Sequence, residues 1–245
     1  MDRIEIIKNW LKSQLNQGFE VVPASSDASF RRYFRIISNN KTYILMDAPP
    51  KLERIDQFIN ITNKLVNAEI NSPKIISFDK ELGLILMNDF GSQTFLDVLG
   101  SDNSHELYSK AINSLLKIQT KVDTKGLRDY SDELLINEML LFPEWYLAKF
   151  KKFKLKEQSE MYEIFSLISK KTFTQNKCFT HRDYHSRNLM FVADGAPGIL
   201  DYQDAVVGPL TYDLVSLLKD AYIEWDEDFV LDQSVRYWEK AKQLG

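Results

Sequence analysis

The pattern of apolar and polar residues divides the chain into a strand-rich part and a helical part. The opening "MDRIEIIKNWLKSQLNQ" repeats apolar residues at helical spacing, which predicts an amphipathic helix. The next stretch, "FEVVPASSDASFRRYFRIISNNKTYILMDAPP", groups β-branched and aromatic residues between turn formers and predicts a meander of three strands, with an Asn-Asn turn before the third. A helix over "RIDQFINITNKLVNAEI" and two strands, "KIISF" and "LGLILM", follow. The apolar face predicted for that helix contains Ile55, Phe58, Ile59, Thr62, Leu65 and Val66.

From about Thr94 the apolar period is that of helices, in "TFLDVL", "HELYSKAINSLLKIQTKV", "DELLINEMLLFPEWYLAKF" and "EQSEMYEIFSLISKKTF". Two short apolar runs, "LMFV" and "GILDY", flank "ADGAPG", whose Asp-Gly and Pro-Gly steps predict a hairpin. We therefore predict an α+β fold with an antiparallel-sheet lobe over residues 1–90 and a mainly helical lobe over 91–245.

Composition excludes several classes of protein. With 245 residues, 44% hydrophobic and 27% charged, the chain is typical of folded soluble proteins. A net charge of -4 gives no general attraction to nucleic acid. No segment has the character of a signal peptide or a membrane span, so we expect a cytoplasmic protein without a membrane partner. The single cysteine, Cys178, excludes an intramolecular disulfide, and its apolar neighbours predict a buried thiol.

The segment "FTHRDYHSRNLMF" concentrates candidate chemistry. His181, Asp183 and His185 alternate, and on an extended segment all three could face one metal ion. Histidine-rich hydrolase sites usually need more imidazoles than this chain has, with three histidines in all. The favoured interpretation uses Asn188 and Asp201, which the predicted hairpin brings together. Carboxylate and amide oxygens suit Mg²⁺ that also binds substrate phosphates, and Asp183 could then accept a proton from a substrate hydroxyl.

Several motifs resemble those of known kinases. "HRDYHSRN" is similar to the catalytic loop of protein kinases, and "LDYQDA" stands where they carry Asp-Phe-Gly. Together with "HRDYHSRNLM", the segments "LDYQDAVVGPLTYDLVSLL", "SDASFRRYFR" and "MDAPP" resemble the aminoglycoside phosphotransferase-like kinases, specifically the branch that phosphorylates N-acetylmuramate and N-acetylglucosamine at C1. The resemblance extends from about residue 5 to the C-terminus. It implies a protein-kinase-like two-lobe fold and a kinase that uses ATP and Mg²⁺.

The resemblance also implies residue roles. Asp183 would be the catalytic base, Asn188 and Asp201 the Mg²⁺ ligands, and His181 a catalytic-loop residue that braces this segment. Asp213 would bond the catalytic loop from below; an ordinary acidic residue in the first turn of a helix is the equally good alternative. The acceptor stays open among N-acetylmuramate, N-acetylglucosamine, another amino sugar, an aminoglycoside and a choline-like alcohol.

The nucleotide end departs from the kinase pattern. The loop "SSDASFRR" contains no glycine, although its small residues, Ser26 and Ser29 among them, could still bring N–H groups to phosphate. The strand-3 lysine is missing, because "YILMDAPP" has methionine and aspartate at the candidate positions. Arg31 or Arg32 is the expected substitute. The backbone from Met87 to Asp89 is the expected adenine contact.

Two further observations leave alternatives open. The chain ends at "VRYWEKAKQLG", where family members generally continue, so a C-terminally incomplete chain is one expectation. Glu138, Trp145 and Tyr146 could contribute to a sugar site, but their spacing favours a helix core with one wet face. The departures also motivate a rival interpretation, a catalytically silent nucleotide-binding regulator. We expect a monomeric enzyme with a small sugar acceptor as its partner.

Overall fold

The predicted meander forms a five-stranded antiparallel sheet. Its strand order is β1-β2-β3-β5-β4. The strands are Glu20–Ser26 (β1), Arg32–Ser38 (β2), Lys41–Asp47 (β3), Ile75–Asp79 (β4) and Leu84–Asn88 (β5). Asn39 and Asn40 join β2 to β3 with positive φ angles of 43° and 55°, the conformation that a two-residue hairpin turn requires and that asparagine tolerates. The predicted Asn-Asn turn is confirmed.

Two helices complete the first part of the chain. Helix α1 (Arg3–Gln14) buries Ile7, Trp10 and Leu11 in one cluster with residues of the sheet. Helix α2 (Asp56–Asn67) buries one face. The buried residues of that face are Phe58, Ile61, Thr62 and Leu65. The predicted face omitted Ile61 and included Ile59 and Val66, which are only partly buried.

The remaining elements are mainly helical. The helices are Phe95–Val98 (α3), Ser104–Lys121 (α4), Asp132–Leu141 (α5), Ser159–Thr172 (α6), Tyr212–Leu218 (α7) and Glu227–Leu244 (α8). A wider, π-type helical segment, Phe142–Phe150, continues α5. The short strands are Lys177–Thr180 (β6), Leu189–Met190 (β7), Gly198–Ile199 (β8) and Val206–Pro209 (β9). Antiparallel pairs form between β6 and β9 and between β7 and β8, so the predicted hairpin at "LMFV" and "GILDY" is confirmed.

The structure is a computed structural model that describes residues 2–15, 18–26, 30–153, 159–193 and 195–244, with the backbone alone at 25 and 26. Contacts divide the chain into one unit of Met1–Ser114 with Ser186–Gln203 and another of Leu115–His185 with Asp204–Gly245. These units differ from the predicted lobes at 1–90 and 91–245, because residues 91–114 and the segment of the β7–β8 hairpin, 186–203, group with the sheet; the lobe division stays a prediction. Within the described ranges, no helix has the length and apolarity needed to cross a bilayer.

The second unit has its own core, built around Tyr130, Leu135 and Val206. Cys178 is buried as predicted, and burial raises the pKa of its thiol to about 12. The expected core role is wrong for Trp145 and Tyr146, which are 57% and 45% exposed. On the π-type segment the Phe142 and Tyr146 rings instead stack, with centroids 5.4 Å apart, and the Phe150 ring lies tilted against Tyr146 at 5.8 Å.

Candidate active site

The β7–β8 hairpin brings together the two residues that the sequence predicts as metal ligands. Leu189 pairs with Ile199, and the Leu200 N–H donates to the Asn188 carbonyl at 2.9 Å. Asn188 Nδ2 then lies 3.5 Å from Asp201 Oδ2. A pair separated by thirteen positions in sequence thus becomes adjacent because a short antiparallel ladder closes between them.

Asp201 has an unusual backbone conformation for a residue with a side chain. Its φ angle is 61°, in the left-handed region, which aspartate tolerates better than most residues. Gln203 Nε2 donates to its Oδ1 at 2.7 Å. Left-handed residues cluster at functional sites, where neighbouring contacts hold them.

Helix α2 fixes the residues that follow Asp201. The Tyr202 hydroxyl is hydrogen bonded to Thr62 Oγ1 at 2.8 Å, and the Tyr202 ring stacks on Phe58 with centroids 5.3 Å apart. Gln57 Nε2 donates to the Gln203 carbonyl at 2.7 Å. Because Tyr202 is fully buried, this anchoring leaves the segment little freedom to move independently of α2.

The catalytic-loop segment, 181–185, belongs to the second unit, where Asp213 holds its backbone. Asp213 Oδ2 accepts the His181 N–H at 2.7 Å, and its Oδ1 accepts the Arg182 N–H at 2.9 Å. Asp213 is 1% exposed, and burial raises its pKa to about 7; the two hydrogen bonds oppose that rise and the charge of Asp183 adds to it. The predicted bond from Asp213 to this loop is confirmed.

His181 and Asp183 differ in their access to solvent. His181 is fully buried, and its Nδ1 accepts the backbone N–H of Asp183 at 3.3 Å. The Asp183 side chain is exposed. Among the described residues, no group of three His, Cys, Asp or Glu side chains is placed to hold a metal ion. His181, Asp183 and His185 form no such group in the described part of the chain.

Glu138, which the sequence analysis left without a role, is central to the side-chain contacts of Arg182. Arg182 has a φ angle of 80°, and its guanidinium forms an ion pair with Glu138. The hydroxyls of Tyr130 and Tyr212 also donate to Glu138, the latter at 3.3 Å. Burial is the main cause that raises the pKa of Tyr130, and it raises that of Tyr212 to about 12, so both remain donors. In the sequence, the one feature that could have indicated a role for Glu138 was its position as a single acid in the apolar run "LLINEMLL".

A buried carboxylate with two arginines lies at one of the two candidate positions for the missing lysine. Asp47, at the end of β3, is fully buried. Its Oδ1 accepts Arg3 Nε and Nη2 at 2.9 and 2.6 Å, and its Oδ2 accepts Arg32 Nε and Nη2 at 3.0 and 2.5 Å. Two cations and one anion leave this cluster with a net positive charge. The contact of Arg3 with Asp47 was not predictable from the sequence, because α1 and β3 are far apart along the chain.

The other residues predicted to contact phosphate are Arg31, Ser26 and Ser29. Arg31 pairs with Glu53 at 3.1 Å and its side chain is 14% exposed, against 49% for Arg32. Ser26 is the last residue of β1. Ser29 lies outside the described residues.

The predicted adenine contact, from Met87 to Asp89, spans the end of β5 and the residue after it. Met87 is 3% exposed. The Asp89 carboxylate accepts Arg35 Nε at 2.6 Å and the Gly91 N–H at 2.9 Å. Its side chain is thus used within the protein, which leaves only backbone groups for a ligand.

Comparison with known proteins decides the family. The model of a phosphotransferase enzyme family matches residues 20–244. The chain belongs to this family. The phosphotransferase is 40% identical to an N-acetylmuramate/N-acetylglucosamine kinase of Pseudomonas aeruginosa, over 99% of this chain and 75% of the relative. It is 38% identical to the kinase of the same name from Neisseria meningitidis, over 100% of this chain and again 75% of the relative.

Solved structures show the fold. An ADP-bound aminoglycoside phosphotransferase of type APH(2″)-Ib superposes with a TM-score of 0.69 at 16% identity, covering 95% of this chain and 81% of that one. A choline kinase from Streptococcus pneumoniae gives a TM-score of 0.64 at 16% identity, covering 98% and 90%. The predicted α+β, protein-kinase-like fold of the phosphotransferase is confirmed.

Proposed function

We propose that this phosphotransferase is an ATP- and Mg²⁺-dependent sugar kinase that phosphorylates the anomeric hydroxyl of an amino sugar such as N-acetylmuramate or N-acetylglucosamine. The observation that carries the proposal is the adjacency of Asn188 and Asp201, 3.5 Å apart on a hairpin. The names of relatives at 40% and 38% identity support the acceptor class. Solved ADP- and ATP-bound members of the fold support ATP as the donor.

Asp183 is the proposed base. Its exposed carboxylate can accept the proton of an acceptor hydroxyl and orient that oxygen toward the γ-phosphate. His181 and Asp213 support it from the protein side, because the buried Asp213 carboxylate holds the His181 N–H and His181 holds the Asp183 N–H. Asp213 and His181 are both engaged in these hydrogen bonds, and the proposal gives neither of them a part in proton transfer.

Asn188 and Asp201 fit Mg²⁺ by the chemistry of their donors. A carboxylate and an amide oxygen are hard oxygen ligands, and two protein ligands would suffice where substrate phosphates and waters supply the others. When bound, the cation neutralises charge that develops on the transferring phosphoryl group. At 3.5 Å the hydrogen bond from Asn188 Nδ2 to Asp201 is weak. Rotation of the Asn188 amide by half a turn would break it and place the amide oxygen on the Asp201 side, where both oxygens can face one cation.

Arg32 is the favoured phosphate contact. Two of its nitrogens are directed at Asp47, and its half-exposed head retains further N–H donors for an anion. Arg31, less exposed and paired with Glu53, is the weaker candidate. Ser26 and Ser29 remain proposed contacts through their N–H groups, as do the backbone groups of Met87 and Asp89 for adenine.

Two alternatives differ in what supports them. Aminoglycoside or choline-type acceptors are named for structural neighbours at 16% identity, a likeness that concerns the fold alone. A silent regulator would be expected to lose a base or a metal ligand, and here Asp183, Asn188 and Asp201 are all present. Because the proposed donor is ATP, we infer a cytoplasmic reaction. A monomer that needs neither nucleic acid nor a membrane stays a prediction.

The proposal is tested by coupled ADP release with Mg²⁺-ATP and a panel of N-acetylmuramate, N-acetylglucosamine, an aminoglycoside and choline. Release with an amino sugar alone, abolished in Asp201→Ala at an unchanged melting temperature, is the expected result. Asp204→Ala is the matched control, since Asp204 is a half-exposed acid near the same motif. Normal turnover by Asp201→Ala would falsify the metal assignment. Acceptor-independent ATP binding without any transfer would favour the regulator.

A further inference from the structure

Gln203 is a buried glutamine beside the proposed metal ligand. It is 6% exposed, and its Nε2 donates to Asp201 Oδ1 at 2.7 Å. Its Oε1 is buried and has no hydrogen-bond partner in the described part of the chain. We infer that Gln203 is a positioning residue that fixes the Asp201 carboxylate for Mg²⁺, an inference that rests on the proposed function.

The hydrogen bond selects one oxygen of the carboxylate. Oδ1 is used by Gln203, and Oδ2 is the oxygen that faces Asn188 at 3.5 Å. The amide of Gln203 has one favourable orientation here, because the reverse orientation would set its own oxygen against an anionic acceptor. Asp201 is thereby held with Oδ2 directed to the side of its partner ligand.

Gln203 is itself well placed to act in this way. Its carbonyl accepts the Gln57 side chain at 2.7 Å, and the preceding Tyr202 is anchored on Thr62 and Phe58 of α2. The φ angle of 61° at Asp201 is one that side-chain-bearing residues rarely adopt, and the contacts of Tyr202 and Gln203 lie directly C-terminal to it. The amide completes a chain of contacts from α2 to the carboxylate.

The second polar atom of the amide, Oε1, makes no hydrogen bond in the described part of the chain. Buried acceptors without a donor are uncommon in folded proteins. Since the described protein offers Oε1 no donor, no competing hydrogen bond sets the orientation of the amide, and the bond from Nε2 to Asp201 alone fixes it. Outer contacts of this kind typically change metal affinity by about 10–100-fold when they are removed.

The test is a binding measurement that does not depend on turnover. Mn²⁺ is titrated into the full chain with a non-hydrolysable ATP analogue and free Mn²⁺ is followed by electron paramagnetic resonance, in the parent and in Gln203→Met. Methionine keeps the unbranched shape and removes the donor. Gln233→Met is the matched control, because Gln233 is also a buried glutamine whose Nε2 donates to an aspartate, Asp232, at 3.0 Å.

We expect the Mn²⁺ dissociation constant to rise about 10–100-fold in Gln203→Met and to stay unchanged in Gln233→Met. Binding of the nucleotide analogue without a cation should be the same in all three proteins. Gln203→Ala serves if Gln203→Met fails to fold. Parental Mn²⁺ affinity in a folded Gln203 variant would overturn the inference. If the parent chain itself bound no Mn²⁺ with the nucleotide, the proposed function would fail, and the inference with it.

Discussion

The buried carboxylate of Asp213 accepts the backbone N–H of His181 at 2.7 Å. The same carboxylate accepts the next N–H, that of Arg182, at 2.9 Å. An ionised acid with no access to water is costly unless hydrogen bonds compensate for lost hydration. The protonation state of Asp213 therefore affects the two hydrogen bonds that hold the backbone of the segment carrying Asp183.

This coupling predicts a pH dependence of stability. Burial raises the pKa of Asp213 from 3.8 to about 7 in the folded protein, so the folded chain keeps a proton there that the unfolded chain releases. The stabilisation is present below the unfolded pKa and is lost as pH rises through the folded value. The free energy of unfolding of the parent, relative to Asp213→Asn, should thus fall between pH 4 and 7, by at most about 1.4 kcal/mol per pH unit.

Urea denaturation of both proteins at several pH values measures that difference. Subtracting Asp213→Asn removes the contributions of other titrating groups that the two proteins share. Above pH 7 the difference should become constant. A difference that does not vary from pH 4 to 8 would show that Asp213 titrates normally and would contradict the burial argument.

Glu138→Gln should slow turnover by about tenfold with little change in the KM for ATP. The substitution keeps the side-chain shape but removes the charge that pairs with Arg182, the residue before the proposed base. A tenfold effect is at the lower end for a charge-assisted contact, because both partners are about a fifth to a quarter exposed. Steady-state kinetics at saturating Mg²⁺ measure kcat and KM separately.

Glu133→Gln is the control for this prediction. It makes the same chemical change on the same helix, at an exposed position. Equal kinetics of the two variants would mean that the contacts of Glu138 with Arg182 do not affect the base. A loss of folded protein in Glu138→Gln alone would assign Glu138 to stability only.

Arg32→Ala should raise the KM for ATP by about tenfold or more, because a charge-assisted contact with phosphate is worth about 1.5–3 kcal/mol. Arg31→Ala should have a smaller effect, since Arg31 is the less exposed of the two. Arg54→Ala controls for loss of surface charge, its side chain being 87% exposed. Steady-state kinetics with varied Mg²⁺-ATP at saturating acceptor measure the KM values. A larger loss in Arg31→Ala would reverse the assignment of the phosphate contact.

The sequence predicted best those parts of the fold and site that depend on residues close together along the chain. The hairpin that pairs Leu189 with Ile199 was predictable from two apolar runs around Asp-Gly and Pro-Gly, and with it the meeting of Asn188 and Asp201. The Asn39-Asn40 turn was predictable for the same reason, since few residues adopt its positive φ angles. Local signals of this kind need no knowledge of distant packing.

Contacts between distant segments were not predictable. Arg3 reaches Asp47, and Glu138 reaches Arg182, across 44 residues in each case. Periodicity marks an apolar face but does not identify which polar residue faces a partner helix or strand. Trp145 illustrates the opposite failure: its helical spacing favoured a core position, and the side chain is exposed on a π-type segment.

The central claim is phosphoryl transfer to an anomeric hydroxyl with Asp183 as the base. ³¹P NMR of the chain with Mg²⁺-ATP and N-acetylmuramate or N-acetylglucosamine tests it directly, with Asp183→Asn and a tube without acceptor as controls. We predict a sugar-1-phosphate resonance in the parent reactions and a rate about 10²–10⁴-fold lower in Asp183→Asn. Unchanged ATP with both sugars, or a phosphate on another hydroxyl, would contradict the account.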